Sequence, residues 1–200
     1  MRNTTIVTTI ILLSLGSNAR SQERGIELSG LLTTTFQHEL DTTDLGFGGR
    51  IGYRATPLLG IEGELSFYPG DVPERVTFTR SRLEGLFGIT VGPRFNRFSV
   101  FGKARPGFVR FAGAHEPIPC ILIFPPPLSC VLAEGRTVFA LDLGGGIELY
   151  PTERSLVRVD LSNLLLRYPA PAINRDREAV TEDSFWGGNL KLTFSMGLRF

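Results

Sequence analysis

The chain has 200 residues, of which 42% are hydrophobic, and its 21 basic and 20 acidic residues nearly cancel. This length allows one domain with a closed barrel or a full core, and the balanced charge argues against a nucleic-acid partner. No apolar run reaches the ~18 residues that a transmembrane helix needs.

The amino terminus has the parts of a secretory signal peptide. Arg2 supplies a positive start, residues 6–15 are apolar, and a small-x-small site ends at Ser21. We therefore predict a signal peptide over residues 1–21 and one mature domain over residues 22–200. Cleavage after Ala19 is the alternative.

Eight later segments alternate apolar and polar residues with a period of two, which is typical of strands with one apolar face. The seventh also fits one face of a helix, but a strand is favoured because Val157 and Val159 are β-branched and alternate with Arg158 and Asp160. The predicted strands cover residues 26–37, 45–55, 60–68, 83–92, 98–111, 138–150, 156–166 and 185–200.

Pro106 and Gly107 interrupt the fifth predicted strand. Proline donates no ladder hydrogen bond and is found in sheets at edges or bulges. A bulge would advance the alternation by one residue. We therefore predict a bulge at this point that turns Arg110 inward and Phe111 outward.

The links between the predicted strands alternate in length, as expected when one set lies outside the cell and the other makes periplasmic turns. Residues 56–59, 93–97 and 151–155 are short links, 38–44 is intermediate, and 69–82, 112–137 and 167–184 are long. Both termini then lie on the short-turn side. Aromatic residues gather at strand ends, which is typical of two membrane-interface girdles: Phe36, Phe67, Tyr68, Phe111, Phe139, Tyr168 and Trp186 near the long loops, and Tyr53, Phe95, Phe98, Tyr150 and Phe200 near the turns.

The last strand is longer than the ~5–6 residues usual in globular proteins and has the ~9–11 alternating residues that a bilayer-crossing strand needs. It resembles the carboxy-terminal assembly signal of bacterial outer-membrane β-barrels, in which a final Phe follows apolar residues at alternate positions. The matching positions here are Phe194, Met196, Leu198 and Phe200.

Over about residues 25–200 the chain resembles the small eight-stranded outer-membrane proteins of the OmpA-domain and OmpX type. The resemblance implies an all-β, antiparallel, up-and-down transmembrane barrel in the outer membrane, with its long loops at the cell surface. The implied role is structural, adhesive or envelope-protective. The implied partners are outer-membrane lipid and lipopolysaccharide, the barrel-assembly machinery during insertion, and a surface protein or host ligand; no cofactor and no metal are expected.

The polar face of the strands carries seven acidic and seven basic residues, including Glu27 and Arg199. Each Lys or Arg facing lipid would cost ~2–4 kcal/mol at mid-bilayer, so in a membrane this face must point inward. Equal numbers of both signs permit pairing, and an eight-stranded interior is only wide enough for side chains. We therefore predict no stable open pore and a lumen ion-pair network of Arg50, Arg54, Glu62, Glu64, Glu84, Lys103, Arg105, Asp142, Glu148, Arg158, Asp160 and Lys191.

Two alternatives are an outer-membrane lipid-modifying enzyme and a soluble periplasmic lipocalin-like carrier, which would turn its apolar face inward. The enzyme is disfavoured because His38 and His115 lie in predicted loops without a Ser or Cys at motif spacing. No catalytic residue is predicted, and two cysteines are too few for a structural zinc site.

Cys120 and Cys130 bracket an apolar, Pro-rich part of the longest loop. We predict a disulfide between them at the cell surface, because an exported chain with two cysteines can form one bond in an oxidising compartment. Closing the loop would stabilise it by ~2–3 kcal/mol in the chain-entropy model. If the enclosed residues stay exposed, Phe124 is the predicted surface-contact residue; alternatively, they pack over the barrel mouth.

Overall fold

The computed structural model describes residues 25–38, 42–70, 81–113, 132, 135–169, 172–173, 180–181 and 184–200. Eight long strands form a closed barrel: β1 Ile26–Gln37, β2 Thr42–Arg54, β3 Leu59–Tyr68, β4 Arg82–Val91, β5 Phe98–Phe111, β6 Thr137–Leu149, β7 Ser155–Tyr168 and β10 Phe185–Arg199. Two short strands, β8 Ala172–Ile173 and β9 Val180–Thr181, pair separately. Within these ranges, no helix has the length and apolar character needed to cross a membrane.

Each barrel strand pairs antiparallel with the barrel strand next to it in the sequence, and β10 pairs with β1 to close the sheet. At the closure, the Phe200 amide donates to the Ile26 carbonyl at 2.9 Å and the Ile26 amide donates to the Phe200 carbonyl at 3.2 Å. The predicted eight-stranded up-and-down barrel is confirmed.

The two ends of the barrel differ in their links. The end that contains Ile26 and Phe200, called here the turn end, carries the links 55–58, 92–97 and 150–154. The opposite end, the loop end, carries the links 38–41, 69–81, 112–136 and 169–184. The predicted alternation of link lengths therefore matches the strand bounds, although the first link on the loop end is only four residues long.

Burial alternates along every barrel strand, because successive side chains point to opposite faces. In β7, Arg158 and Asp160 are buried whereas Val159 and Leu161 are exposed, which confirms the strand prediction for this segment. The outward positions form a continuous apolar belt that includes Leu28, Leu32, Phe47, Ile51, Leu65, Phe87, Ile89, Val100, Leu143, Ile147, Val159, Leu161, Leu192, Phe194 and Met196.

The predicted aromatic girdles need a correction. Phe36, Phe67, Phe139 and Trp186 at the loop end and Tyr53, Phe95, Phe98 and Phe200 at the turn end are exposed, but Tyr68, Phe111, Tyr168 and Tyr150 are buried. The strand period of two sets the direction of each ring. Tyr68, for example, shares the inward face of β3 with Glu62 and Glu64. Position near a strand end does not by itself place a ring at the membrane interface.

The predicted bulge at Pro106 and Gly107 is wrong. Pairing with β6 is regular from Phe98 to Arg110, and pairing with β4 keeps one register on both sides of the proline. The proline's missing donor interrupts only the β4 ladder, where no pair forms between Leu86–Gly107 and Ile89–Ala104. Because no residue is inserted, Arg110 points outward and Phe111 inward; Arg110 lies near the loop end, where a long side chain can extend its charge toward water.

Candidate functional site

Twelve charged side chains meet inside the barrel, and none is more than 8% exposed. They occupy alternate inward positions, so the strand period itself brings residues distant in sequence to one place. Six are basic and six are acidic. The structure brings together all twelve residues that the sequence singled out for the lumen: Arg50, Arg54, Glu62, Glu64, Glu84, Lys103, Arg105, Asp142, Glu148, Arg158, Asp160 and Lys191.

Arg105 on β5 connects two walls of the barrel. Its Nη1 donates to Glu62 Oε1 at 2.9 Å and to Glu64 Oε2 at 2.7 Å, both on β3. Its Nε donates to Asp142 Oδ2 on β6 at 2.9 Å. Charge-assisted hydrogen bonds of this kind are about twice as strong as neutral ones, and the guanidinium plane fixes their directions.

Glu64 on β3 contacts three basic side chains. It accepts hydrogen bonds from Arg50 Nη2 at 2.8 Å, from Arg105 Nη1 at 2.7 Å and from Lys191 Nζ at 2.7 Å. Lys191 also pairs with Glu84. A single carboxylate therefore holds side chains from β2, β5 and β10 together across the lumen.

Arg158 extends the network toward the turn end. It lies 2.7 Å from Glu62, 3.1 Å from Glu148 and 2.8 Å from Asp160, and its guanidinium stacks 4.0 Å from the Phe101 ring centroid. Glu148 pairs in turn with Arg54 at 3.1 Å.

Three further pairs complete the network. Lys103 lies 3.3 Å from Asp142 and 3.5 Å from Asp160, and Arg50 donates to Asp160 at 3.0 Å. With these contacts the twelve residues form one connected network with no net charge.

The turn end of the lumen is lined by Glu27, Arg94 and Tyr150. Glu27 lies 3.6 Å from Arg94, whose guanidinium lies 4.0 Å from the Tyr150 ring centroid. The Tyr150 hydroxyl donates to Glu148 at 2.5 Å. Burial, and next the Glu148 carboxylate, raises the pKa of the Tyr150 phenol, so the phenol stays a neutral donor. Arg199, predicted on the same polar face, is only partly buried.

Arg82 is a buried cation that the sequence prediction missed, because residue 82 was assigned to a loop. Its guanidinium lies 3.8 Å from the Tyr68 ring centroid and 3.2 Å from Asp44. The Tyr68 hydroxyl accepts from Thr35 at 3.1 Å. Gly46 leaves room for this ring, since a Cβ there would lie 2.6 Å from a Tyr68 ring carbon. This second polar group lies on the loop-end side of the network.

An apolar cluster fills the rest of the lumen at the loop end, and the sequence prediction did not include it. It is formed by Leu86, Val109, Phe111, Leu132, Val138, Ala140, Leu164, Leu166 and Tyr168, with Phe185 packed against it. Leu132 belongs to the link between β5 and β6, so the described part of that link contributes to the lumen core. The sequence does contain a signal for this cluster: near the loop end, the inward positions of several strands are apolar instead of charged.

The other predicted site residues are placed as follows. Phe194, Met196, Leu198 and Phe200 are exposed along the outer face of β10. His38 is exposed at the loop end. His115, Cys120, Phe124 and Cys130 lie outside the described residues, as does the predicted signal peptide. The described part of the chain holds no group of three or more His, Cys, Asp or Glu residues suited to a metal ion.

No protein-family model matches the chain, and no curated protein matches it. Among solved structures, Neisserial surface protein A superposes with a TM-score of 0.52 at 12% identity, over 88% of this chain and 96% of that one. The fold is that of a small eight-stranded outer-membrane β-barrel. The N-terminal barrel domain of Pseudomonas aeruginosa OprF (TM-score 0.49, 13% identity, 86% and 98% coverage) and Yersinia pestis Ail (0.49, 14%, 90% and 100%) also match.

The polarity of this outer-membrane-type barrel is the reverse of that in a water-soluble barrel. Soluble proteins bury apolar side chains and expose charges, whereas here the twelve network charges are inside and large apolar side chains are outside. Backbone groups in hydrocarbon must all be paired, and a closed sheet pairs them without leaving an edge. The arrangement is therefore suited to a lipid environment.

Proposed function

We propose that this chain is an integral outer-membrane protein with a structural, envelope-protective or adhesive role, and that it is not an enzyme. The observation that supports the proposal is the combination of a paired, neutral charge network in the lumen with an apolar belt outside. Contiguous exposed apolar surface of this extent is rare on soluble monomers and marks contact with protein or membrane.

The soluble carrier is the alternative that this geometry disfavours. A carrier of an apolar ligand needs an apolar cavity, but the middle of this lumen is occupied by charged side chains such as Arg105 and Glu64, which are at most 4% exposed. An apolar ligand placed there would separate ion pairs and leave charges buried without partners, which is strongly unfavourable.

Fractionation of cells that express the full chain tests the proposal. We expect the protein in the outer-membrane fraction, released by detergent but not by high salt, with a folded form that migrates differently from the boiled form on gels. Recovery in the soluble periplasmic fraction would contradict the proposal.

We also propose that the folded barrel has no open pore, since an eight-stranded interior is filled by side chains and the described lumen side chains are almost fully buried. In planar bilayers we expect no steady, large conductance from the purified protein. Steady conductance that rises with the number of inserted barrels, and is missing from a mock preparation, would contradict this part of the proposal.

The proposed cell-surface contact lies in the link between β5 and β6. We propose a Cys120–Cys130 disulfide that holds Phe124 at the tip for a protein or host ligand, because a rigid apolar tip loses little entropy when it docks. Unreduced protein should resist a thiol reagent and reduced protein should react, whereas labelling without reduction would exclude the bond.

A Phe124→Ser variant should bind cells or matrix less well than the parent protein does. Unchanged binding would leave only the structural role of the loop.

A further inference from the structure

One polar side chain interrupts the middle of the apolar belt. Asn163 on β7 points outward and is exposed, between Leu161 and Leu165 on its own strand. Its register partners on the neighbouring strands are Leu143 and Leu190. Among the described outward positions away from the strand ends, no other residue carries an amide or an ionisable group.

Asn163 lies well below the interface at the loop end. Arg167, four residues further along β7, pairs in register with the girdle residues Trp186 and Phe139. With a rise of ~3.3 Å per residue and a tilt near 45°, the Asn163 side chain is about 9 Å deeper than these rings. Within the described residues its carboxamide makes no hydrogen bond, so hydrocarbon would leave both its donors and its acceptor unpaired.

The surface beside Asn163 allows close approach. A Cβ on Gly188 of β10 would lie 3.2 Å from Asn163 Oδ1, so glycine keeps the carboxamide accessible. A hollow of about 510 Å³ extends from Asn163 and Gly188 toward Phe36 and Gln37 at the loop end. Small residues beside hydrogen-bonding side chains are typical of contacts between membrane-spanning helices, and Gly188 beside Asn163 gives this sheet surface the same combination.

We propose that this surface, centred on Asn163 and formed by β7 and β10, binds a second copy of the same chain about a two-fold axis. A two-fold contact places the same residue opposite itself, and a carboxamide can both donate to and accept from an identical carboxamide. Acyl chains offer no such partner at this depth. The inference rests on the proposed membrane location.

Cysteine cross-linking in phospholipid vesicles tests the inference, in a Cys120→Ser, Cys130→Ser background. A Leu161→Cys variant places a thiol beside Asn163 and should cross-link to a dimer on oxidation. A Phe87→Cys variant places a matched exposed thiol on β4, on the opposite side of the barrel, and should not. Adding Asn163→Leu to the Leu161→Cys variant should weaken dimerisation about tenfold, as expected from the loss of a pair of intramembrane hydrogen bonds.

The outcomes separate this inference from the proposed function. Equal cross-linking at both positions, an unchanged dimer after Asn163→Leu, or a monomer throughout would overturn the dimer while the vesicle-inserted, heat-modifiable barrel stays intact. Failure of the parent protein to insert would instead contradict the membrane location. The Asn163→Leu chain should insert as well as the parent, because the substitution only makes the belt more apolar.

Discussion

A Glu64→Gln substitution is expected to lower the free energy of unfolding by about 3–5 kcal/mol, the usual cost of breaking a buried ion pair from one side. Glu64 holds Arg50, Arg105 and Lys191, each within 2.8 Å. Glutamine keeps the shape of the side chain but removes its charge, which leaves the buried network with one excess positive charge. Urea unfolding in vesicles, followed by Trp186 fluorescence and by gel shift, measures the change.

Glu27→Gln is the matched control. Glu27 is only partly buried at the turn end, and its ion pair with Arg94 is long, at 3.6 Å. The longer separation weakens the attraction between the two charges, so the control should lose much less stability than Glu64→Gln does. Equal effects of the two substitutions would show that the central network does not contribute more than the rim.

Deletion of Phe200 is expected to reduce the outer-membrane level of the protein several-fold and to leave the finished barrel nearly as stable. Phe200 is 74% exposed, so its packing within the barrel is slight. Deletion also removes its two backbone hydrogen bonds to Ile26, which contribute about 1 kcal/mol each. The proposed role of the ring is recognition by the assembly machinery, which the resemblance of the terminal strand implies. Quantitative blots of membrane fractions measure the first effect, and urea unfolding of refolded protein measures the second.

Phe95→Ala provides the control for a lost aromatic ring at the same end. Phe95 is exposed and stacks on Phe98 in a turn, and it lies outside the terminal strand. We expect its loss to leave the outer-membrane level unchanged. Normal levels after deletion of Phe200, or equally low levels for both variants, would remove the support for a carboxy-terminal assembly signal.

The faces of the strands could be predicted because a period of two leaves each residue only one of two directions. This is why residues as far apart in the sequence as Arg50 and Asp160, which lie 3.0 Å apart, could be assigned to one lumen. Which cation meets which carboxylate depends on the stagger between strands, and a single sequence does not give the stagger.

The errors arose at strand ends and at the proline. The sequence predicts a loop at Arg82 because no alternation precedes it, whereas the structure buries this residue at the start of β4. Tyr68 and Tyr168 lie at strand ends, as girdle residues do, but they point inward. Pro106 does not produce the predicted bulge, because one missing donor interrupts a single ladder while the register continues. The apolar cluster around Leu164 and Leu166 is not marked by alternation, because the inward residues there and the outward Leu165 are all apolar.

The membrane orientation of the belt can be measured with Trp186, the single tryptophan of the chain. It is 50% exposed on the outer face and meets the Phe139 ring edge to face at 5.9 Å. In vesicles, we predict blue-shifted emission that lipids brominated near the headgroups quench more strongly than lipids brominated near the chain ends. Emission typical of water, quenched by aqueous iodide and insensitive to every brominated lipid, would contradict an apolar belt in contact with the bilayer.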